Sequence, residues 1–172
     1  MKNVRTLSAI LFYITRIVAI LYILVTFYSI ISILTEWSFN TKENGKYFSI
    51  YYPFTDIPFL IGENNWGYIL FNFLIPIGFY GLFFLLVSNV FNVFKQQKLF
   101  TRYGVNQLNW FYLANFFVLP VTIFLATIFT GAIEEGLGWL TVIHFILGVF
   151  AYFLAAIFKQ GLSLQNEQDL FI

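Results

Sequence analysis

The residues of this sequence that could do chemistry are few, and they lie inside long apolar stretches. His144 is the one histidine, and an imidazole that ionises near neutral pH could relay protons. Arg16 places a guanidinium near the start of the first stretch, and Asn72, Asn89 and Asn115 place amides in the second and third. Polar side chains in lipid are costly and usually face the interior of a helix bundle. These five residues therefore form a candidate intramembrane polar site.

Two interpretations of Arg16 follow from its position about two turns into the first predicted helix. A long basic side chain there can extend to the lipid headgroups. The alternative is an inward arginine that hydrogen-bonds to Asn89, Asn92 or Asn115, because no carboxylate lies within the apolar stretches.

Small and polar residues recur at helical spacing around the histidine. The two sets are Thr141, His144, Gly148, Ala151 and Ala155 in the fourth stretch, and Asn115, Thr122, Ala126 and Thr130 in the third. Small residues at this spacing let helix backbones approach closely, so we expect the two stripes to pack together. The pattern favours a neutral His144 that is hydrogen-bonded to Thr or Asn on a neighbouring helix, with a proton relay as the alternative.

Counting turns from the helix ends gives each polar residue an expected depth. His144 and Asn72 are expected near the outer side of the membrane. Arg16, Asn89 and Asn115 are expected near the inner side.

The sequence lacks the motifs that enzymes use. It has no His-Glu-x-x-His, no Gly-x-Ser-x-Gly and no phosphate-binding loop. It has no cysteine, which excludes disulfides, thiolate metal sites and thiol catalysis. We therefore predict no catalytic residue, no metal site and no cofactor.

The composition decides the class of protein that carries these residues. Of 172 residues, 60% are hydrophobic, 23% are aromatic and only 10% are charged. A soluble domain carries about 25% charged residues, so this chain cannot present a polar surface to water. Its net charge of +1 also argues against direct nucleic-acid binding, which needs a basic surface. The sequence predicts an integral membrane protein whose main partner is the lipid bilayer.

The gaps between charged residues predict the membrane spans. The runs without charge are 17–35, 64–94, 103–133 and 136–158. Crossing the hydrocarbon core takes about 20 helical residues, and only helices or closed barrels satisfy the backbone in lipid. We predict one domain, 1–172, with helices at about 8–34, 67–94, 107–133 and 139–158. The fold class is an all-α membrane protein with four transmembrane helices in an antiparallel up-down bundle and a short extracytoplasmic β-hairpin loop.

Lysine and arginine predict the orientation. With a cytoplasmic N-terminus, the inner segments hold Lys2, Arg5, Lys95, Lys98, Arg102 and Lys159, and the outer segments hold only Lys42 and Lys46. Short cytoplasmic loops carry an excess of basic residues, so we expect both termini in the cytoplasm. The first apolar run is too long for a signal peptide, so we expect it to be a retained anchor.

The outer loop, 35–66, carries a hairpin signal. Asn-Gly at 44–45 lies between two aromatic-rich runs, and this pair favours a type I′ turn because both central residues need positive φ. We predict a short hairpin with Phe48, Ile50 and Tyr52 on one face, ended by the prolines that follow. It is interpreted as a lid over the helix ends, with a ligand-binding lid as the alternative.

Three residues predict local helix geometry. Thr101 can cap the N-terminus of the third helix, because its hydroxyl can accept a backbone N–H. Pro76 and Pro120 lie within the second and third helices, where each removes one backbone hydrogen bond and can kink its helix.

Two inner segments resemble a known family. The first segment is the C-terminal tail, 159–172, together with the residue before it. It contains, in order, Phe158, Gly161, Leu164, Glu167, Asp169 and Leu170. This order and spacing resemble the closing signature of the DUF2975 membrane proteins. The inner loop, with Phe100-Thr101 followed by Asn106, resembles the Phe-Thr-x-x-Asn stretch of the same family.

The resemblance implies a small bacterial four-helix protein of the inner (cytoplasmic) membrane with no assigned activity. Members are often encoded beside a small helix-turn-helix transcription factor, which implies a cytoplasmic regulator as partner. The candidate docking residues are Phe100, Thr101, Asn106, Gly161, Glu167, Asp169 and Leu170. The alternative is that these segments pack on each other, with Glu167 or Asp169 paired with Arg102 or Lys98.

Two functions of different classes stay open. The first is a non-enzymatic interaction or regulatory protein that acts through its cytoplasmic loop and tail. The second is small-molecule, lipid or ion binding or transport through the intramembrane polar residues, with a homo-oligomer as one way to form a pore. An intramembrane enzyme ranks third, because Ser88 and His144 are expected at opposite depths.

Overall fold

Four long helices make up most of the structure, a computed structural model that describes residues 2–131 and 135–169. The helices are α1 (Lys2–Thr35), α2 (Ile75–Lys95), α3 (Arg102–Thr130) and α4 (Glu135–Asp169). Each helix is long and apolar enough to cross a membrane, α2 together with the turns before it. The chain is therefore a multi-pass membrane protein, and the predicted four-helix class is confirmed.

Neighbours in the chain pack side by side as antiparallel pairs: α1 on α2, α2 on α3, and α3 on α4. The α1–α2 contact is close at Gly81, where a Cβ atom would lie 2.9 Å from the Ile23 side chain. The α3–α4 contact is equally close at Gly148, where a Cβ would lie 2.9 Å from the Phe116 ring. Thr122, Ala126 and Ala151 are buried, so the predicted packing of the two small-residue stripes is confirmed.

A three-stranded antiparallel sheet connects α1 to α2. Its strands are β1 (Phe39–Lys42), β2 (Tyr47–Tyr51) and β3 (Pro58–Glu63), in the order β1-β2-β3. In the β1–β2 turn, Asn44 and Gly45 have φ of 55° and 85°. These positive values are what a type I′ turn needs, so the predicted hairpin is confirmed.

The third strand was not predicted. Pro58, expected to help end the hairpin, is instead the first residue of β3, a position that tolerates proline at the edge of a sheet. Tyr52, expected on the apolar face, lies just past β2 and is exposed.

The sheet covers one end of the bundle, called here the sheet end. Phe48 and Ile50 on β2 are fully buried, and the Phe48 ring lies 5.1 Å from the Phe73 ring. The Tyr28 hydroxyl of α1 donates a hydrogen bond to the Tyr51 carbonyl. The predicted covering of the helix ends is therefore present.

The opposite end, called here the loop end, contains the connection 96–101 between α2 and α3. Thr101 accepts a hydrogen bond from the Gly104 N–H at 3.1 Å, so the predicted cap is confirmed and α3 begins at Arg102. The polar tail differs from the prediction, since α4 continues as a helix to Asp169. Leaving lipid does not end a helix, and Lys, Gln, Leu and Glu in this segment are good helix formers.

A π-helical segment, Tyr68–Leu74, precedes α2 without a break. Its wider turns bring the Ile75 N–H to the Leu70 carbonyl, five residues back. Pro76 follows in the first turn of α2. It has no N–H, so it cannot donate the backbone hydrogen bond that would complete the preceding turn. The predicted irregularity at Pro76 thus takes the form of a π-helix, whereas Pro120 lies inside a continuous α3.

Candidate functional site

The polar centre of the bundle is a hydrogen-bond network that joins three helices. His144 on α4 is buried, and its Nδ1 lies 2.7 Å from Asn115 Oδ1 on α3. Its Nε2 lies 3.4 Å from the Tyr80 hydroxyl on α2. The predicted bond between His144 and an amide on a neighbouring helix is present, and Tyr80 is an additional partner that the sequence did not indicate.

The direction of each bond follows from Asn115. Its Nδ2 donates to the Phe111 carbonyl at 2.7 Å, so its Oδ1 faces the imidazole and can only accept. His144 Nδ1 therefore carries the proton, and Nε2 accepts from the Tyr80 hydroxyl. This assignment satisfies both ring nitrogens of a neutral histidine.

Aromatic rings enclose the imidazole. The Phe79, Tyr80 and Phe83 rings of α2 lie 5.0, 5.7 and 4.8 Å from it, all near edge-to-face. Asn115 lies one residue from the middle of α3, so the network lies at mid-height. The expected placement of His144 and Asn115 at opposite depths is therefore wrong. The depths were counted from predicted helix ends, and errors in those ends shifted the expected depths of the two residues in opposite directions.

Arg16 belongs to a second, separate network nearer the loop end. Its Nη2 donates to Asn89 Oδ1 at 2.7 Å, as the inward interpretation expected. The Arg16 guanidinium and the Lys95 ammonium lie 5.1 and 4.2 Å from the Phe12 ring. The Phe12 ring therefore contacts both cations where α1 meets α2, and the Asn89 amide bonds to one of them, Arg16.

Asn72 lies in the π-helical segment, apart from both networks, and its Oδ1 is buried without a hydrogen-bond partner among the described residues. Ser29 and Ser32 on α1 are fully buried, and their hydroxyls also lack a partner within the described chain. By contrast, Thr26 and Thr35 on the same helix donate to carbonyls four residues back.

The packing register gives the relative heights of these residues. A Cβ on Gly78 would lie 3.4 Å from the Thr26 side chain, so these two residues are at one height. Continuing the antiparallel register by six residues brings Ser32 level with Asn72. Three buried oxygens without a partner among the described residues therefore lie on α1 and the π-helical segment towards the sheet end. The sequence identifies these polar residues, but it does not show that their oxygens lack hydrogen-bond partners.

At the loop end, the family-like segments pack on each other. A Cβ on Gly161 would lie 2.6 Å from the Phe100 ring, and this ring meets Phe158 edge-on at 5.4 Å. Thr101 is the helix cap already described. Phe100 and Gly161 therefore hold the connection 96–101 against α4, while Thr101 caps α3. This agrees with the alternative in which the two family-like segments pack on each other.

The remaining docking candidates are distributed differently. Asn106 and Glu167 are exposed, and Glu167 lies 3.4 Å from the Ser163 hydroxyl. This contact replaces the expected pairing of Glu167 with Arg102 or Lys98. The side chain of Asp169 and the whole of Leu170 lie outside the described residues.

The contacts of His144 join three helices through side-chain hydrogen bonds. Among residues 2–131 and 135–169, no group of three or more His, Cys, Asp or Glu side chains could hold a metal ion.

The fold and its polar contacts define a four-helix membrane protein with a sheet on one end. The chain belongs to the DUF2975 family, described as a protein of unknown function, whose family model matches residues 35–172. The match includes the sheet and the last three helices, so Arg16 lies outside it and His144 and Asn115 lie inside. Neither the curated proteins nor the solved structures gave a match to this chain.

Proposed function

We propose that this protein is a non-enzymatic, membrane-anchored interaction protein that binds a partner at its loop end. The observation that carries the proposal is the continuation of α4 through 159–169, here called the α4 extension, as an unbroken helix.

The α4 extension projects beyond the start of α3. Gly104 packs against Phe158, so α3 begins near the level of Gln160, and the helix continues for nine more residues, or about 14 Å at 1.5 Å per residue. The Gly161–Phe100 contact holds its base. A rigid, pre-formed helix binds with less entropy loss than a disordered tail.

Leu164 gives this polar helix an apolar contact point. Its side chain is 61% exposed, among exposed polar neighbours such as Ser163, Asn166 and Glu167. An exposed apolar anchor with a polar rim is typical of a protein interface.

The proposed partner is cytoplasmic. The excess of Lys and Arg at the loop end supports a cytoplasmic location for this end. The family resemblance implies a helix-turn-helix regulator as the candidate, so the chain would hold such a regulator at the inner membrane.

The test is a co-purification of the full chain with that regulator, comparing Leu164→Glu with Ile57→Glu. The control residue is 62% exposed at the sheet end, so both changes place a carboxylate at an equally open apolar site. Loss of the partner from Leu164→Glu alone supports the proposal. Retention by both variants, or equal loss from both, contradicts it.

Ion or small-molecule binding is a second candidate function, supported by the unpaired oxygens of Ser29, Ser32 and Asn72. Hydroxyl and amide oxygens are ligands for hard cations. Thermal unfolding in sodium, potassium and choline chloride at equal ionic strength tests it. A midpoint raised by one metal cation supports a site, and three equal midpoints count against a cation.

A further inference from the structure

We propose that the groove between α3 and α4 at the loop end binds the phosphate headgroup of an anionic phospholipid. The groove has a volume of about 530 Å³, and the polar residues of its lining are Arg102, Asn106, Asn109, Tyr112, Tyr152 and Lys159. None of them takes part in the Tyr80–His144–Asn115 network, and none lies in the proposed docking contact at Leu164.

The two cations of the groove lie at the same height. Because Gly104 packs against Phe158, moving two residues towards the loop end on each helix brings Arg102 level with Gln160, beside Lys159. The groove therefore has a guanidinium on one wall and an ammonium on the other. Its described lining contains no acidic residue, so the charge favours an anion.

Polarity changes along the groove as it does along a phospholipid. Asn106 and Asn109 follow Arg102 by one and two turns, and Tyr112 comes ten residues after it, or about 15 Å deeper. The Tyr112 and Tyr152 rings meet edge-on at 5.5 Å and form the deep end. The order is cations, then amides, then aromatic rings, which matches phosphate, glycerol ester and acyl chain.

Small residues on α4 leave room beside Asn106, where the glycerol ester would lie and the acyl chain would begin. Ala155 and Ala156 line the groove, and Ala156 is exposed on the surface that faces lipid. A soluble anion would use the cations but not this apolar wall. An acidic peptide would have to enter the hydrocarbon region to reach the tyrosines, where its unpaired backbone groups would be costly.

The experiment is native mass spectrometry of the full chain, purified in detergent and mixed with equal amounts of phosphatidylglycerol and phosphatidylcholine. Basic residues near an anionic membrane surface each contribute about 1 kcal/mol, so two predict a preference for phosphatidylglycerol of about thirtyfold. The double variant Arg102→Gln, Lys159→Gln is expected to lose this preference.

The matched control is Arg5→Gln, Lys98→Gln, which removes two cations from the same end but none from the groove lining. It is expected to keep the preference. Equal loss in both double variants would show general attraction between the basic end and anionic lipid, and would overturn the site.

Two further measurements distinguish the occupants. Inorganic phosphate at millimolar concentration is expected not to displace phosphatidylglycerol, and displacement would assign the site to a free anion. Ala156→Phe fills the groove without changing charge and should reduce phosphatidylglycerol binding even if the charge variants fail to fold. Unchanged binding by a folded Ala156→Phe protein would overturn the proposal.

Discussion

At the scale of single residues, buried hydrogen bonds determine how the helices meet. Tyr80, His144 and Asn115 lie on three different helices, and each bond satisfies a polar atom that lipid could not satisfy. Apolar side chains gain little by leaving lipid for a protein neighbour, so polar contacts and close packing select the helix pairs. The network therefore fixes the rotation of α4 relative to α2 and α3.

Asn115→Leu tests this network. The substitution leaves His144 Nδ1–H without its acceptor, and we expect the free energy of unfolding to fall by about 1–2 kcal/mol. The measurement is unfolding by sodium dodecyl sulfate in mixed micelles. The control, Thr127→Val, removes an exposed hydroxyl that bonds only to its own helix, and should change stability by less than about 0.5 kcal/mol. Equal losses in the two variants would contradict a specific role for the network.

Asn72→Leu is expected to act in the opposite direction. The Asn72 Oδ1 is buried without a partner in the described chain, so an apolar side chain of similar size should raise the free energy of unfolding by about 1 kcal/mol. Asn89→Leu is the matched control and should lower it, because Arg16 loses its acceptor. Destabilisation by Asn72→Leu would mean that the oxygen has a ligand or water partner, which favours the second candidate function.

At the scale of elements, the position of the α4 extension depends on one glycine. A Cβ on Gly161 would lie 2.6–2.7 Å from three atoms of the Phe100 ring, so even alanine must displace the ring and the connection 96–101. Gly161→Ala is expected to lower the free energy of unfolding by about 1–3 kcal/mol. Gly138→Ala is the control, because a Cβ there meets nothing within 4 Å and alanine favours a helix.

The second variant in this test is Phe100→Ala. If the ring is what excludes a side chain at position 161, the double variant Gly161→Ala, Phe100→Ala should lose less stability than the sum of the single variants. If the stability losses of the single variants simply add in the double variant, the destabilisation by Gly161→Ala does not come from contact with the Phe100 ring.

The elements differ in how far the sequence could predict them. Charge-free runs gave the four helices, since lipid excludes charge over a fixed thickness, and Asn44-Gly45 gave the hairpin turn. β3 was missed because Pro58 is a strand breaker except at an edge. The π-helical segment was missed because its extra width comes from packing around Pro76, and hydrophobic periodicity does not report it. The groove was missed because Arg102 and Lys159 meet only through the register of α3 on α4.

At the scale of the whole molecule, basic residues are concentrated at one end of the bundle. Arg5, Lys95, Lys98, Arg102 and Lys159 lie at the loop end, and only Lys42 and Lys46 lie on the sheet. Four spans return the chain to its starting side, so the N-terminus and the α4 extension share the loop end. The proposed partner and the proposed lipid both require that the loop end faces the cytoplasm or its membrane leaflet.

The absence of native cysteine makes this orientation directly testable with single introduced cysteines. The variants are Asn44→Cys in the hairpin turn, Gln97→Cys in the connection 96–101 and Asn166→Cys on the α4 extension, all at exposed positions. In bacterial spheroplasts, a membrane-impermeant maleimide should label Asn44→Cys, and should label the other two only after permeabilisation, because basic loops are retained in the cytoplasm.

The pattern of labelling separates the fold from its orientation. Labelling of Gln97→Cys and Asn166→Cys from outside, with Asn44→Cys protected, would keep the four-span bundle but reverse it, and would remove the cytoplasmic partner from consideration. Labelling of Gln97→Cys and Asn166→Cys from opposite sides would require an odd number of spans between them. That result would contradict the antiparallel pairing of α3 with α4, on which both the His144–Asn115 bond and the lipid groove depend.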